Sequence, residues 1–200
     1  GTIKYNRISM ERYIKEYTRW CSKQLPAMLK AELSTIENNK EEMYNRFCRD
    51  MHFGTSGMRG KMGAGTNWMN TITVRRTTVA VARWLEEFPC RPKRPVAVIG
   101  YDTRLNSELY AQTAAETLLS HGVDVWISSQ NMPVPALSFA VRYLKADCGI
   151  MITASHNPKE YNGYKVYDDR GCQIDEATAR RIEEHMEAVD CFEQRSEEHT

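Results

Sequence analysis

The sequence has no long apolar run. Nothing approaches the ~18 consecutive apolar residues of a membrane-spanning helix, and the mean hydropathy is −0.58. It also lacks a charge surplus: 27 Lys and Arg stand against 26 Asp and Glu, for a formal net charge of +1. Binding that rests on neutralising nucleic-acid phosphates, or a polybasic membrane arm, needs such a surplus. Neither a nucleic acid nor a membrane is therefore expected as a partner. The six cysteines (21, 48, 90, 148, 172 and 191) contain no C-x-x-C pair. A chain of this length can bury a core without disulfides, so free thiols and a cytoplasmic location are expected. The five histidines (52, 121, 156, 185 and 199) show no H-x-x-x-H or H-E-x-x-H spacing, and an all-protein zinc site is not expected. The opening stretch, GTIKYNRISMERYIKEY, has no apolar h-region, and no secretory signal is read there.

Familiar nucleotide and hydrolase motifs are missing too. A Walker loop would need glycine at Thr55 and Ser or Thr at Met62. A dinucleotide fingerprint would need a third glycine at Trp68. The serine-hydrolase elbow fails around Ser155, which has Thr153 and Asn157 at the glycine positions.

What is present reads as an α/β chain of 200 residues, one domain with an appendage. Residues 1–52 are polar and helical in character: Leu29, Leu33 and Ile36, then Met43, Phe47 and Met51, recur at steps of three and four. They are expected to form an N-terminal helical arm, with residues 53–200 as the main domain. The stretch FGTSGMRGKMGAGTNWMN carries five glycines in eighteen residues and can be only a loop or an edge strand with a loop. Val74, Thr78, Val81, Leu85 and Phe88 predict a helix over 71–88. Pro89, Pro92 and Pro95 mark a linker. Strands are then expected at 96–100, 123–127, 148–153 and 164–167. Helices lie between them: one capped by Asn106 or Ser107 and ending at Gly122, one entered at Pro135, and a last one capped by Asp175. Alternating strands and helices imply right-handed crossovers and a mixed, mainly parallel sheet sandwiched by helices. The short link between the last two strands implies a locally antiparallel edge.

Four segments carry candidate chemistry. Thr153-Ala-Ser-His-Asn-Pro158 follows a buried strand, and ligands in open α/β sheets collect beyond the carboxyl ends of strands. Ser155 is thus either a presented reacting group or part of a turn. Lys165 lies ten residues on, close enough across a loop to bind phosphate or move a proton there, or simply a solvated strand lysine. Gly54-Thr-Ser-Gly57 with Arg59 is either a backbone anion cradle beside an arginine fork or a flexible surface loop. Asp102 and Arg104 follow the first buried strand and read as an ion pair bracing their own loop.

Together the TASHNP loop, the YNGYK segment, the FGTSGMRG loop and the YDTR turn resemble the α-D-phosphohexomutase family in order and spacing, most closely its phosphopentomutase and phosphoglucomutase-2 branch. The resemblance spans essentially the whole chain but only the family's first of four domains. It implies that Ser155 carries a phosphoryl group, that Lys165 is a general acid/base, that Arg59 is an active-site arginine and His156 lies beside the reacting groups, and that Arg59, Ser56, His156 and Asn157 bind the substrate. A phosphosugar, hexose or pentose, would exchange phosphate between its 1- and 5/6-positions through a sugar bisphosphate, which also serves as activator. Mg²⁺ would bind Ser155 through its phosphate. The family's acidic metal loop, D-x-D-x-D-R, is absent; Asp168-Asp169-Arg170 has the wrong spacing. The sugar-recognition loop and the phosphate clamp of the later domains are absent as well. The missing domains two to four are therefore implied partners, and the chain alone is expected to be at most weakly active. The alternative is a stand-alone, non-catalytic module that binds phosphosugars or a protein.

Overall fold

In a computed structural model, residues 7–88 and 93–193 are described. Cys90, His199 and the linker residues Pro89 and Pro92 lie outside them. The described residues begin with three helices: α1 (Arg7–Cys21), α2 (Ala27–Thr35) and α3 (Lys40–Phe47). Pro26 leads into α2, and the Asn39 side chain caps α3 by accepting from the Glu42 amide. The expected stripe folds inward, for Leu33, Met43 and Phe47 are buried with Tyr13 and Trp20 in a core of their own. Met51 is the exception. It lies beyond the end of α3 and joins the main core instead.

The main domain follows as β1 (Met58–Lys61), α4 (Thr71–Glu86), β2 (Val96–Tyr101), α5 (Ser107–Ser120), β3 (Asp124–Ile127), α6 (Val134–Tyr143), β4 (Cys148–Ile152), β5 (Tyr161–Tyr167) and α7 (Glu176–Ala188). The five strands form one sheet in the order β1-β5-β4-β2-β3. β2 runs parallel to β3 and β4, while β5 is antiparallel to both β4 and β1. The sheet is thus mixed, with four of its five strands pointing the same way. The fourth expected strand starts earlier than the sequence indicates, at Tyr161. It is also interior rather than an edge, because the glycine-rich segment supplies β1 outside it. α4 stops at Glu86, which leaves Phe88 beyond the helix and exposed.

Topology decides which face each helix covers. The crossover from β2 to β3 moves outward across the sheet, and that from β3 to β4 moves back past β2. Right-handed crossovers in opposite directions place their helices on opposite faces. Accordingly α5 packs with α4 and α7 over Ile99, Ile150 and Val166, whereas α6 covers Val98, Met151 and Tyr167 on the other face. The carboxyl ends of β2 and β4 are neighbours where this direction reverses, with Tyr101 opposite Ile152. Such a switch point is where open α/β sheets leave a crevice. Among the described residues, no helix is long and apolar enough to cross a membrane.

Candidate active site

Two loops meet at that crevice. The loop leaving β2 carries Asp102 and Arg104, and the loop leaving β4 carries Ser155; the Asp102 amide donates to the Ile152 carbonyl. Ser155 is exposed and has φ +55°, in the left-handed region that non-glycine residues seldom occupy. Its amide donates to Thr153 Oγ1 at 3.1 Å. Its hydroxyl accepts from Lys165 Nζ at 3.2 Å.

Strand alternation aims the cations. On β5, Tyr164 and Val166 enter the main core, so Lys165 between them must face the other way. On β1, Met58 is buried, which turns Arg59 outward, opposite Gly163. Arg59 Nη1 donates to Asn157 Oδ1 at 3.3 Å, linking the edge strand to the serine loop. The close approach of β1 to β5 needs Gly57. It has φ +79°, and a Cβ there would lie 1.8 Å from the Tyr164 carbonyl oxygen. The resulting cleft, about 290 Å³, is lined by Ser56, Arg59, Ser155 and Lys165 together with Arg49 and His52.

A larger cavity of about 990 Å³ also reaches Ser155 and Asn157 and extends to Met28 and Leu29 on α2. The smaller cleft is the better match to an anion. Its charged lining is wholly basic, whereas the larger cavity mixes Arg104 and Lys159 with Glu32, Asp102 and Glu160. Arg104 takes part in the expected ion pair, with Nε 3.7 Å from Asp102 Oδ2. His156 is exposed and lines neither cavity, so the structure does not gather it with the other site residues.

A family model described as phosphoglucomutase/phosphomannomutase, alpha/beta/alpha domain I, matches residues 50–192. The chain belongs to this family. It is 39% identical over 188 residues to a human phosphopentomutase, an alignment covering 89% of this chain and 31% of that protein. It is 42% identical over 149 residues to a Staphylococcus epidermidis phosphoglucomutase, covering 74% and 27%. A solved structure from Thermus thermophilus, described as a phosphomannomutase, superposes with a TM-score of 0.62 at 36% identity, covering 69% of this chain and 30% of that one. The chain thus spans less than a third of the length of these relatives.

The residues present do not by themselves fit magnesium. The cleft at Ser155 contains no carboxylate. In the larger cavity Asp102 already accepts from Ser107 Oγ and the Arg104 amide, and Glu32 from Arg46 and the Ala64 amide. Among the described residues, no group of three or more His, Cys, Asp or Glu could hold a metal ion. Mg²⁺ favours six oxygen ligands, carboxylates and waters among them.

Sequence reasoning missed Arg49 and His52, which line the cleft from the segment before the glycine-rich loop, next to the buried Phe53. It also missed Asn162, wholly buried, whose Nδ2 donates to Ser107 Oγ at 2.9 Å and to the Leu105 carbonyl at 3.3 Å. An asparagine before a glycine in a strand was the available signal.

Proposed function

We propose that this chain is the phosphoserine-bearing first domain of a phosphosugar mutase, with residues 1–52 as an arm splinting residues 53–200. Ser155 carries the phosphoryl group. In transfer to a sugar monophosphate, the sugar hydroxyl attacks phosphorus, the P–Oγ bond of phosphoserine breaks, and a sugar bisphosphate forms. The proton lost by the sugar hydroxyl ends on Ser155 Oγ. Lys165, already donating to that oxygen, gives it a proton as the P–Oγ bond breaks and takes the sugar hydroxyl's proton in return. After the bisphosphate turns round, the reverse step puts its other phosphate on Ser155, so the net change is a 1-phosphate for a 5- or 6-phosphate. A phosphoserine adds about two negative charges at pH 7. Arg59 and Lys165 offset them, and positioning plus electrostatics carry most of phosphoryl transfer. Ser56, Asn157 and His156 are assigned to the substrate's phosphate, His156 by resemblance alone. Magnesium would have Ser155 as one ligand through its phosphate and would need its other ligands from outside this chain. A hexose or pentose bisphosphate is the activator.

The observation that carries this reading is the 3.2 Å contact between Lys165 Nζ and Ser155 Oγ in a cleft shared with Arg59. The test is peptide mass analysis after incubation with glucose 1,6-bisphosphate, in the polypeptide of the relatives' length that carries this chain. A phosphate on the peptide containing Ser155, abolished with turnover in Ser155→Ala, is expected. Turnover with that peptide unmodified would overturn the assignment. Phosphosugar affinity lost in Arg59→Ala, with no turnover at any chain length, would instead make the chain a binding module.

A further inference from the structure

The serine loop has an unusual anchor. Residues 155–160 place no buried apolar side chain in the core, so packing does not hold them. Instead their carbonyls converge on one guanidinium. Arg104 Nη2 donates to the carbonyls of Ser155 and Asn157, each at 2.6 Å, and Nη1 to those of Pro158 at 2.9 Å and Tyr161 at 3.3 Å. The fork is fixed from behind. Asp102 faces Arg104 Nε, accepts from the Arg104 amide at 2.9 Å, and accepts from Ser107 Oγ at 2.6 Å. Asn162, on β5, secures Ser107 in turn. One end of this chain of contacts is rooted in the sheet, and the other grips the residue whose backbone is left-handed.

We propose that Arg104 is a positioning residue: by gathering the carbonyls of residues 155, 157, 158 and 161 it holds Ser155 in the left-handed conformation that keeps its hydroxyl on Lys165. This rests on the reading of Ser155 as phosphoryl carrier. A planar fork with five donors can serve four carbonyls at once, while an ammonium is a point charge with three donors on a flexible stem. Arg104→Lys therefore keeps the charge and loses the clasp. Arg104 touches only main-chain oxygens of the loop; Arg59 and Ser56 lie on another segment and keep their own hold on phosphate, while the Asn157 side chain moves with the loop. Arg104 acts on how well the hydroxyl is aimed, and a displacement of about 1 Å at a reacting atom costs about 100-fold in rate.

The experiment follows phosphoryl uptake from glucose 1,6-bisphosphate by intact mass, in the polypeptide of the relatives' length, for wild type, Arg104→Lys and Arg104→Ala. Expected is a fall of about 100-fold in the saturating uptake rate for both variants, with a far smaller rise in the half-saturating concentration and with partial recovery of Arg104→Ala by millimolar guanidinium. Uptake by Arg104→Lys at the wild-type rate would overturn the proposal. So would a loss confined to the half-saturating concentration, which would make Arg104 a substrate ligand. Should Arg104→Ala fail to fold, Asp102→Asn keeps an Oδ1 acceptor and removes only the carboxylate charge facing Arg104 Nε; a slower rate with little change in half-saturation supports the clasp, and an unchanged rate counts against it. A wild type that takes up no phosphate removes the phosphoserine reading and the clasp with it, whereas a wild type matched by Arg104→Lys removes the clasp alone.

Discussion

Asn70 is where the glycine-rich loop hands over to α4, and its side chain holds both. It is 2% exposed. Its Oδ1 accepts from the Ile72 and Thr73 amides, and Thr73 Oγ1 accepts from the Asn70 amide, a reciprocal cap. Its Nδ2 donates to the carbonyls of Gly63 at 2.8 Å, Gly65 at 3.0 Å and Trp68 at 3.2 Å. An amide has two hydrogens, so three acceptors share two bonds. Removing the side chain orphans these acceptors unequally. The Trp68 carbonyl keeps Thr73 Oγ1, and the Gly65 carbonyl keeps a long bond from the Trp68 amide at 3.4 Å. The Gly63 carbonyl bears most of the loss. Loss of an N-cap costs about 1 kcal/mol, and a buried unsatisfied acceptor about 1–3 kcal/mol. Asn70→Ala is thus expected to lose about 2–4 kcal/mol, and Asn70→Ser, which keeps a capping oxygen but not the amide donors, about 1–3 kcal/mol. With a urea slope of about 2 kcal/mol per molar, the midpoints should fall by about 1–2 M and about 0.5–1.5 M. Urea unfolding followed by circular dichroism measures both. If Asn70→Ser unfolds with the wild-type midpoint, the donors to the loop contribute nothing, and the side chain is only a helix cap.

Three further outcomes are expected. Tyr164→Phe removes a buried 2.9 Å contact between the Tyr164 hydroxyl and Thr78 Oγ1, but Thr78 still donates to the Val74 carbonyl; urea titration should show a loss of about 1 kcal/mol, and a loss above about 3 kcal/mol would mean that the hydroxyl does more than pair with Thr78. The Thr178 amide, donating to Asp175, holds that carboxyl below its usual range. This contribution is complete above the unfolded pKa of about 3.9 and is lost as pH falls through the lower folded value, so the stability difference between wild type and Asp175→Asn should shrink on acidification; a constant difference would refute the linkage. Burial pushes the Cys191 thiol up to about 12, so iodoacetamide at pH 8 should modify the exposed Cys21 and Cys172 and reach Cys191 only after unfolding, as read by peptide mass.

Much of the fold follows from periodicity because burial there is local. Val74, Thr78, Val81 and Leu85 recur at helical spacing, and all four face the core from α4. The strand at 96–101 is apolar throughout because helices cover both its faces. What periodicity does not carry is lateral order. The antiparallel return of β5 was legible in the short link after β4. Nothing local shows that β1, separated from β5 in sequence by every other strand, adds itself outside it. That pairing depends on Gly57 and Gly163 allowing backbones to close at distances a side chain would forbid, and such a contact has no periodic signature.

The candidate site divides along the same line. Lys165 alternates with the buried Tyr164 and Val166, so its outward direction is implicit in YNGYKVY once the strand register is known. Read alone it stays a solvated lysine, because the serine it meets belongs to another segment. Arg104 is the harder case. Its ion pair with Asp102 was legible from the spacing, and it exists, yet at 3.7 Å it is the longest of the guanidinium's contacts. The shorter ones go to main-chain carbonyls, and a carbonyl is the same in every residue. A side chain whose partners are backbone oxygens leaves no mark on the identity of those partners, so its role becomes visible only when the loop's path is known. The positions that shape the serine loop are thus the ones that sequence patterns encode least. For this reason substitutions at Arg104 test how the serine hydroxyl is aimed, which substitutions at the cations lining the cleft do not. An anion pocket needs only positive charge near the loop, which Arg104→Lys preserves, whereas transfer needs one oxygen held in one place.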